Sequence, residues 1–128
     1  MSDLGTSWIS PFWQTWTFEG SDSWDQSTVY VVNPGANPAT LTIRWMKGTG
    51  GLISKADGTP PAGTHWGWSS PLVKDRGWLL VTSDQPVAPW GITPGLLTPE
   101  PVNMDFYRVD DSVVRAVFSH TGGNAHLH

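Results

Sequence analysis

The sequence predicts an all-β fold, a single antiparallel β-sandwich of about eight strands, jelly-roll-like or barrel-like, on three observations. Glycine and proline, 14 and 11 of the 128 residues, break the chain at short intervals. Between these breaks, β-branched and aromatic residues alternate with polar ones at period two. No stretch of useful length carries its apolar residues at the helical period, and no internal repeat is evident. A chain of 128 residues supports one core, so residues 1–118 are expected to form one domain and residues 119–128, rich in glycine and poor in apolar side chains, a flexible tail.

The first strand is expected between about Trp8 and Phe18, with Pro11 marking an edge or a bulge. "STVYVVN" reads as a strand buried on both faces. Pro34-Gly35 suits the centre of a type II turn, and "TLTIRWM" follows with Leu41, Ile43 and Trp45 on one face and Thr40, Thr42 and Arg44 on the other. "GLIS" is a weaker strand that ends in an Asp57-Gly58 turn. After Pro60-Pro61, "THWGW" resumes extended structure. "GWLLVTS" and "PVAPWGI" read as two strands separated at Asp84-Gln85, and Pro89 confines the second to an edge or bulge. "TPGLLTPEP" is a rigid loop. "NMDFYRV" and "SVVRAVF", joined at Asp110-Asp111, complete the set.

Composition narrows the function. Only 14% of residues are charged, the net charge is -4, and the seven Lys and Arg are scattered singly, so there is no basic stripe for a phosphate backbone and nucleic acid is not an expected partner. The absence of cysteine removes disulfides, thiol nucleophiles and zinc-thiolate sites. The start "MSDLGTSWIS" has neither the basic segment nor the apolar run of a secretory signal, and no stretch approaches the roughly 18 apolar residues of a membrane span. A soluble, cytoplasmic protein without membrane insertion is expected, with a virion location or another export route left open. Three of the four histidines, His120, His126 and His128, fall in the tail, and the fourth is His65. Nearly all the carboxylates sit at expected turns, where Asp serves backbone hydrogen bonding, and no spacing selects a catalytic pair. No G-x-S-x-G, H-E-x-x-H or phosphate-cradling glycine loop is present. The expectation is a protein that is not an enzyme and holds no metal or cofactor.

The succession "STVYVVNPGANPATLTIRWM", "PPAGTHWGW" and "GWLLVTSDQPVAPWGI" resembles the small bacterial sensory rhodopsin transducer family. The likeness lies in a strand ending at Asn33, a Pro61-Ala62 turn opening a later strand, and the step Ser83-Asp84-Gln85-Pro86-Val87, and it spans roughly residues 27–109. The resemblance implies a soluble oligomeric sandwich, tetrameric in the transducer, similar in fold to carbohydrate-binding domains and without catalytic residues. This chain has many more tryptophans, and it carries Gly63, Thr64, His65 and Trp66 where the family has basic residues. A rhodopsin-coupling or DNA-binding role is therefore not expected of it.

Nine tryptophans make up most of the recognisable chemistry. Trp45 and Trp78 read as core. Trp66 and Trp68 share a face, and Gly67 leaves the opposite face bare, so the pair fits a core, a subunit interface or a ligand platform. Trp90 stands beside the proline-rich loop. One of Trp66 and Trp68 together with Trp90 is a candidate aromatic rim, with His65, Asp84 or Gln85 offering hydrogen bonds to a glycan or small ligand. Trp8, Phe12, Trp13, Trp16 and Trp24 exceed what one face of one strand can bury and are candidates for a homo-oligomer interface. The sequence thus points to a non-catalytic sandwich that binds and self-associates. A structural assembly protein, such as a virion or surface component, and a soluble transducer-like protein are the alternatives.

Overall fold

Alternation along each strand sends apolar residues inward from two layers, and the result is one shared core. The structure, a computed structural model, describes residues 4–17, 24–95 and 100–109. It is all-β: β1 (Gly5–Thr15), β2 (Thr28–Asn33), β3 (Leu41–Lys47), β4 (Leu52–Gly58), β5 (Thr64–Ser69), β6 (Asp75–Pro94), β7 (Pro101–Asn103) and β8 (Tyr107–Arg108). All pairings are antiparallel. One layer runs β4-β3-β6-β1-β8, and the other is β5-β2-β6-β7. The expected tail and the expected strand "SVVRAVF" lie outside the described residues. Among the described residues there is no helix long and apolar enough to cross a membrane.

β6 belongs to both layers. Its first half pairs with β3 as far as Ser83 and with β1 as far as Thr82, with one further β1 pair at Val87, and its second half pairs with β2 from Ala88 to Ile92. The crossing falls at Ser83-Asp84-Gln85-Pro86, where the β1 register jumps from Ser7↔Thr82 to Gly5↔Val87. The sequence suggests two strands here, because Asp-Gln-Pro resembles a turn. The structure instead bends one strand of 20 residues, and the polar step stays extended because Asp84 is tied to Thr40. The Thr40 amide donates to Asp84 Oδ1 at 2.8 Å, and the Asp84 amide donates to the Thr40 carbonyl at 3.1 Å. Pro89 sits opposite Val31, beyond the reach of β7, so its missing N–H costs the ladder nothing.

The core gathers Trp8 and Trp13 from β1, Val29 and Val31 from β2, Leu41, Ile43 and Trp45 from β3, and Leu79, Val81 and Val87 from β6. Trp8 and Trp13, expected on an interface, are instead core residues, 7% and 0% exposed. Their polar ends explain how they can be buried: an unpaired indole N–H would cost too much, and each finds backbone carbonyls. Trp8 Nε1 donates to the Val87 carbonyl at 3.0 Å, and Trp13 Nε1 donates to those of Met46 and Trp78, both at 3.0 Å. Trp13 also meets Trp45 edge to face, with ring centroids 5.3 Å apart.

Pro11 does mark a bulge, since the β1–β6 register shifts between Ser10 and Trp13. β2 is not buried on both faces: Val29, Val31 and Asn33 are buried while Tyr30 and Val32 are half-buried, because no layer among the described residues covers its outer side. Gly35 is not among the positive-φ glycines, so Pro34-Gly35 is not a type II turn. The buried Asn33 side chain organises that loop instead, accepting from the Gly35 amide at 3.2 Å and donating to the Asn37 and Pro60 carbonyls. Asp57-Gly58 continues β4 opposite Thr42 and Leu41 rather than turning. Trp78 is half-buried on the outer side of its layer. "NMDFYRV" contributes only the end of β7 and the two residues of β8.

At one end of the sandwich, where β1, β2 and β6 end near Ser70, buried polar side chains satisfy one another. Ser27 Oγ donates to the Gln14 carbonyl at 2.7 Å and shares a hydroxyl–hydroxyl hydrogen bond of 2.7 Å with Thr93 Oγ1, and the Gln14 amide donates back to Ser27 Oγ at 3.1 Å. Thr15 and Ser70 share a hydroxyl hydrogen bond, and the Ser27 amide donates to Ser70 Oγ at 2.9 Å. This network closes the end of the core that apolar side chains leave open.

Candidate functional site

Among the described residues, the second layer has an open outer face. The pairs Tyr30↔Gly67 and Tyr30↔Trp90 place these residues side by side on it, across β5, β2 and β6. Alternation adds Thr28 and Val32 from β2, His65 and Ser69 from β5, Ala88 and Ile92 from β6. None of these residues is an acid, a lysine or an arginine.

Three features build an aromatic ridge on this face. The Tyr30 and Trp90 rings stack with centroids 4.4 Å apart and planes 17° from parallel. The imidazole of His65 lies 6.4 Å from the Tyr30 ring, tilted by 59°. Gly67 gives Tyr30 its place: a Cβ there would stand 2.8 Å from the Tyr30 ring. The tyrosine therefore leans over the glycine, and Trp90 leans on the tyrosine with 51% of its own surface exposed. A half-exposed indole braced by a second ring is a stacking surface.

The sequence-derived candidates separate between two faces and a sheet junction. Trp90 and His65 lie on the ridge. Trp66 and Trp68 pair with Val31 and Val29, so they point to the inner side of the layer, away from Trp90. Trp68 packs against the core and over Gly58 of β4, where a Cβ would come within 2.4 Å of its ring. Trp66 stands 6.3 Å from Trp68 between ring centroids and is 43% exposed at the sandwich edge. The rim that joins one of these indoles to Trp90 is not formed. Asp84 and Gln85 are at the bend of β6, engaged with Thr40 and with Ser83 Oγ, rather than beside Trp90. The space that Gly67 leaves is taken by Tyr30 of the same chain.

The N-terminal candidates disperse as well. Phe12 is half-buried, and Trp16 is half-buried under the guanidinium of Arg76, whose Cζ lies 5.4 Å from its ring centroid. Trp24, 39% exposed, is the one member of the group with a large open surface. Sequence reading missed Tyr30. Its signal was present: within "VYVVN" it alternates with Val29 and Val31, which puts it on the face opposite the core, but only the β2–β6 register pairs it with Trp90.

No family model matches the chain, and no curated protein matches it. Among solved structures, the crystal structure of Thermotoga maritima 1070 is similar, with a TM-score of 0.60 at 13% identity over 82% of this chain and 95% of that one. At that identity the likeness shows the fold alone: this chain shares an all-β architecture with that protein over most of both lengths.

Proposed function

We propose that this protein is a non-catalytic binding module that takes a neutral ligand with a flat apolar face, for which a sugar ring is the fitting chemistry, on the outer face of β5, β2 and β6. The observation that carries the reading is the Tyr30–Trp90 stack, held on an uncharged sheet face with half of Trp90 exposed. A sugar ring lays its C–H face on an indole while its hydroxyls reach neighbouring donors and acceptors, and Thr28, His65 and Ser69 supply those here. Ring faces, hydroxyls and an imidazole are binding chemistry. A face without carboxylate or cation favours an uncharged ligand over a phosphate or an amine.

Stacking of this kind contributes about 1 kcal/mol per aromatic contact, so one site is weak and several copies acting together are useful. A glycan array identifies the saccharide class, and calorimetry on Trp90→Ala, Tyr30→Ala and Trp66→Ala assigns the face. The expected result is binding by the parent chain and by Trp66→Ala, with the affinity of Trp90→Ala and Tyr30→Ala lowered about fivefold or more, the equivalent of one lost stacking contact. An array with no bound saccharide, or a Trp90→Ala variant that binds like the parent, overturns the reading.

A further inference from the structure

Sheet edges are where a β-protein meets other chains, and this sandwich presents four among its described residues. Three carry features that prevent pairing. β4 shows exposed Lys55 and Asp57, β7 is three residues long and begins at Pro101, and β8 is two residues long and includes Arg108. β5 has no such feature. Its six residues, Thr-His-Trp-Gly-Trp-Ser, contain no lysine, arginine, acid or proline, and among the described residues it pairs only with β2.

The hydrogen bond from the Ser70 amide to the Ser27 carbonyl, 2.8 Å, sets the phase of the β2–β5 ladder. Counted back from that pair along the register, Trp68 and Trp66 turn their backbone groups toward β2, and His65, Gly67 and Ser69 turn theirs to the open edge. All three are exposed.

We propose that β5 is a self-association edge, to which a second copy of this chain adds its own β5, antiparallel, about a twofold axis at Gly67. In that register Gly67 faces the partner's Gly67, and His65 faces the partner's Ser69. These are the residues whose amides and carbonyls point outward, so each pair exchanges both of its backbone hydrogen bonds. Trp66 falls opposite the partner's Trp68 in a close, non-hydrogen-bonded pair on the inner side, which covers an indole left 43% exposed in one chain. The strand is complementary to itself: imidazole meets hydroxyl, glycine meets glycine, indole meets indole, and no like charges meet. That self-complementarity selects a second copy over an unrelated strand. The twofold axis keeps both outer faces on one side, so two Tyr30–Trp90 ridges are displayed together, although the pairing itself does not depend on what the ridge binds.

Sedimentation equilibrium on three proteins tests this. The parent chain is expected at about twice the 14.0 kDa of one copy, or a multiple of that. His65→Lys/Ser69→Lys places lysine opposite lysine at both ends of the junction and is expected to sediment as a single copy. His65→Asp/Ser69→Lys places opposite charges there and is expected to regain the parent mass. Far-UV circular dichroism confirms that each variant is folded, since these side chains stand on the exposed face. A monomeric parent chain overturns the proposal, as does a double-lysine variant with the parent mass. Failure of the Asp/Lys variant to reassociate overturns the register about Gly67.

Discussion

At the scale of the residue, burial separates tryptophans that the sequence presents alike. Trp13 fills the core against Trp45 and donates to two backbone carbonyls, so Trp13→Ala is expected to cost about 3–5 kcal/mol, and chemical denaturation measures it. Trp90→Ala removes a half-exposed ring and is expected to cost less than about 1 kcal/mol in the same assay. Ser10 supplies the opposite sign. Its hydroxyl is buried with no hydrogen-bond partner among the described residues, so Ser10→Ala is expected to leave stability unchanged or raise it by up to about 1 kcal/mol. Trp45 was legible as core because Leu41 and Ile43 set its phase within one strand. Trp8 and Trp13 were not, because apart from the nearby Gly5 carbonyl the acceptors of their indole N–H groups, the carbonyls of Met46, Trp78 and Val87, lie far along the chain. Local alternation says nothing about such partners.

At the scale of the element, β6 positions the rest. Gly77 lies where β6 passes β3, and a Cβ on it would stand 1.8 Å from the Met46 carbonyl oxygen. Gly77→Ala is expected to destabilise the fold by about 3 kcal/mol or more, while Gly48→Ala, with open space around it, is expected to be nearly neutral; thermal melts of the two decide this. The end network gives a smaller effect. Ser27→Ala leaves the buried Gln14 carbonyl and Thr93 hydroxyl short of a partner, for an expected cost of about 1–3 kcal/mol. Strand β3 was legible in the sequence to within a residue, because alternation over "TLTIRWM" is uninterrupted. The continuity of β6 was not: Asp84-Gln85-Pro86 has turn composition, and what holds it extended is a pair of hydrogen bonds to Thr40 on another strand. The bulge at Pro11 was legible for the complementary reason, since proline's missing donor is a local property.

At the scale of the whole molecule, the two layers share one core, and among the described residues they leave an uncharged aromatic face across β5, β2 and β6 and an edge, β5, without lysine, acid or proline. The all-β sandwich was legible from the period-two pattern and the spacing of turns. The candidate site was legible only in part: Trp90 and His65 were singled out, but Tyr30 was not, and Trp66 and Trp68 belong to the other side of the layer. Which residues share a face on one strand can be read locally, whereas which strands lie side by side depends on the topology. Whether a saccharide binds on the outer face of β5, β2 and β6 is decided by following the tryptophan indole N–H resonances by NMR during titration with the saccharide found on the array, with Trp90→Phe to assign the Trp90 signal. The Trp90 resonance is expected to move in a saturable way while those of the buried Trp8 and Trp13 stay in place. Movement of the Trp66 or Trp24 resonance with Trp90 unaffected, or no movement of any, would contradict binding on that face.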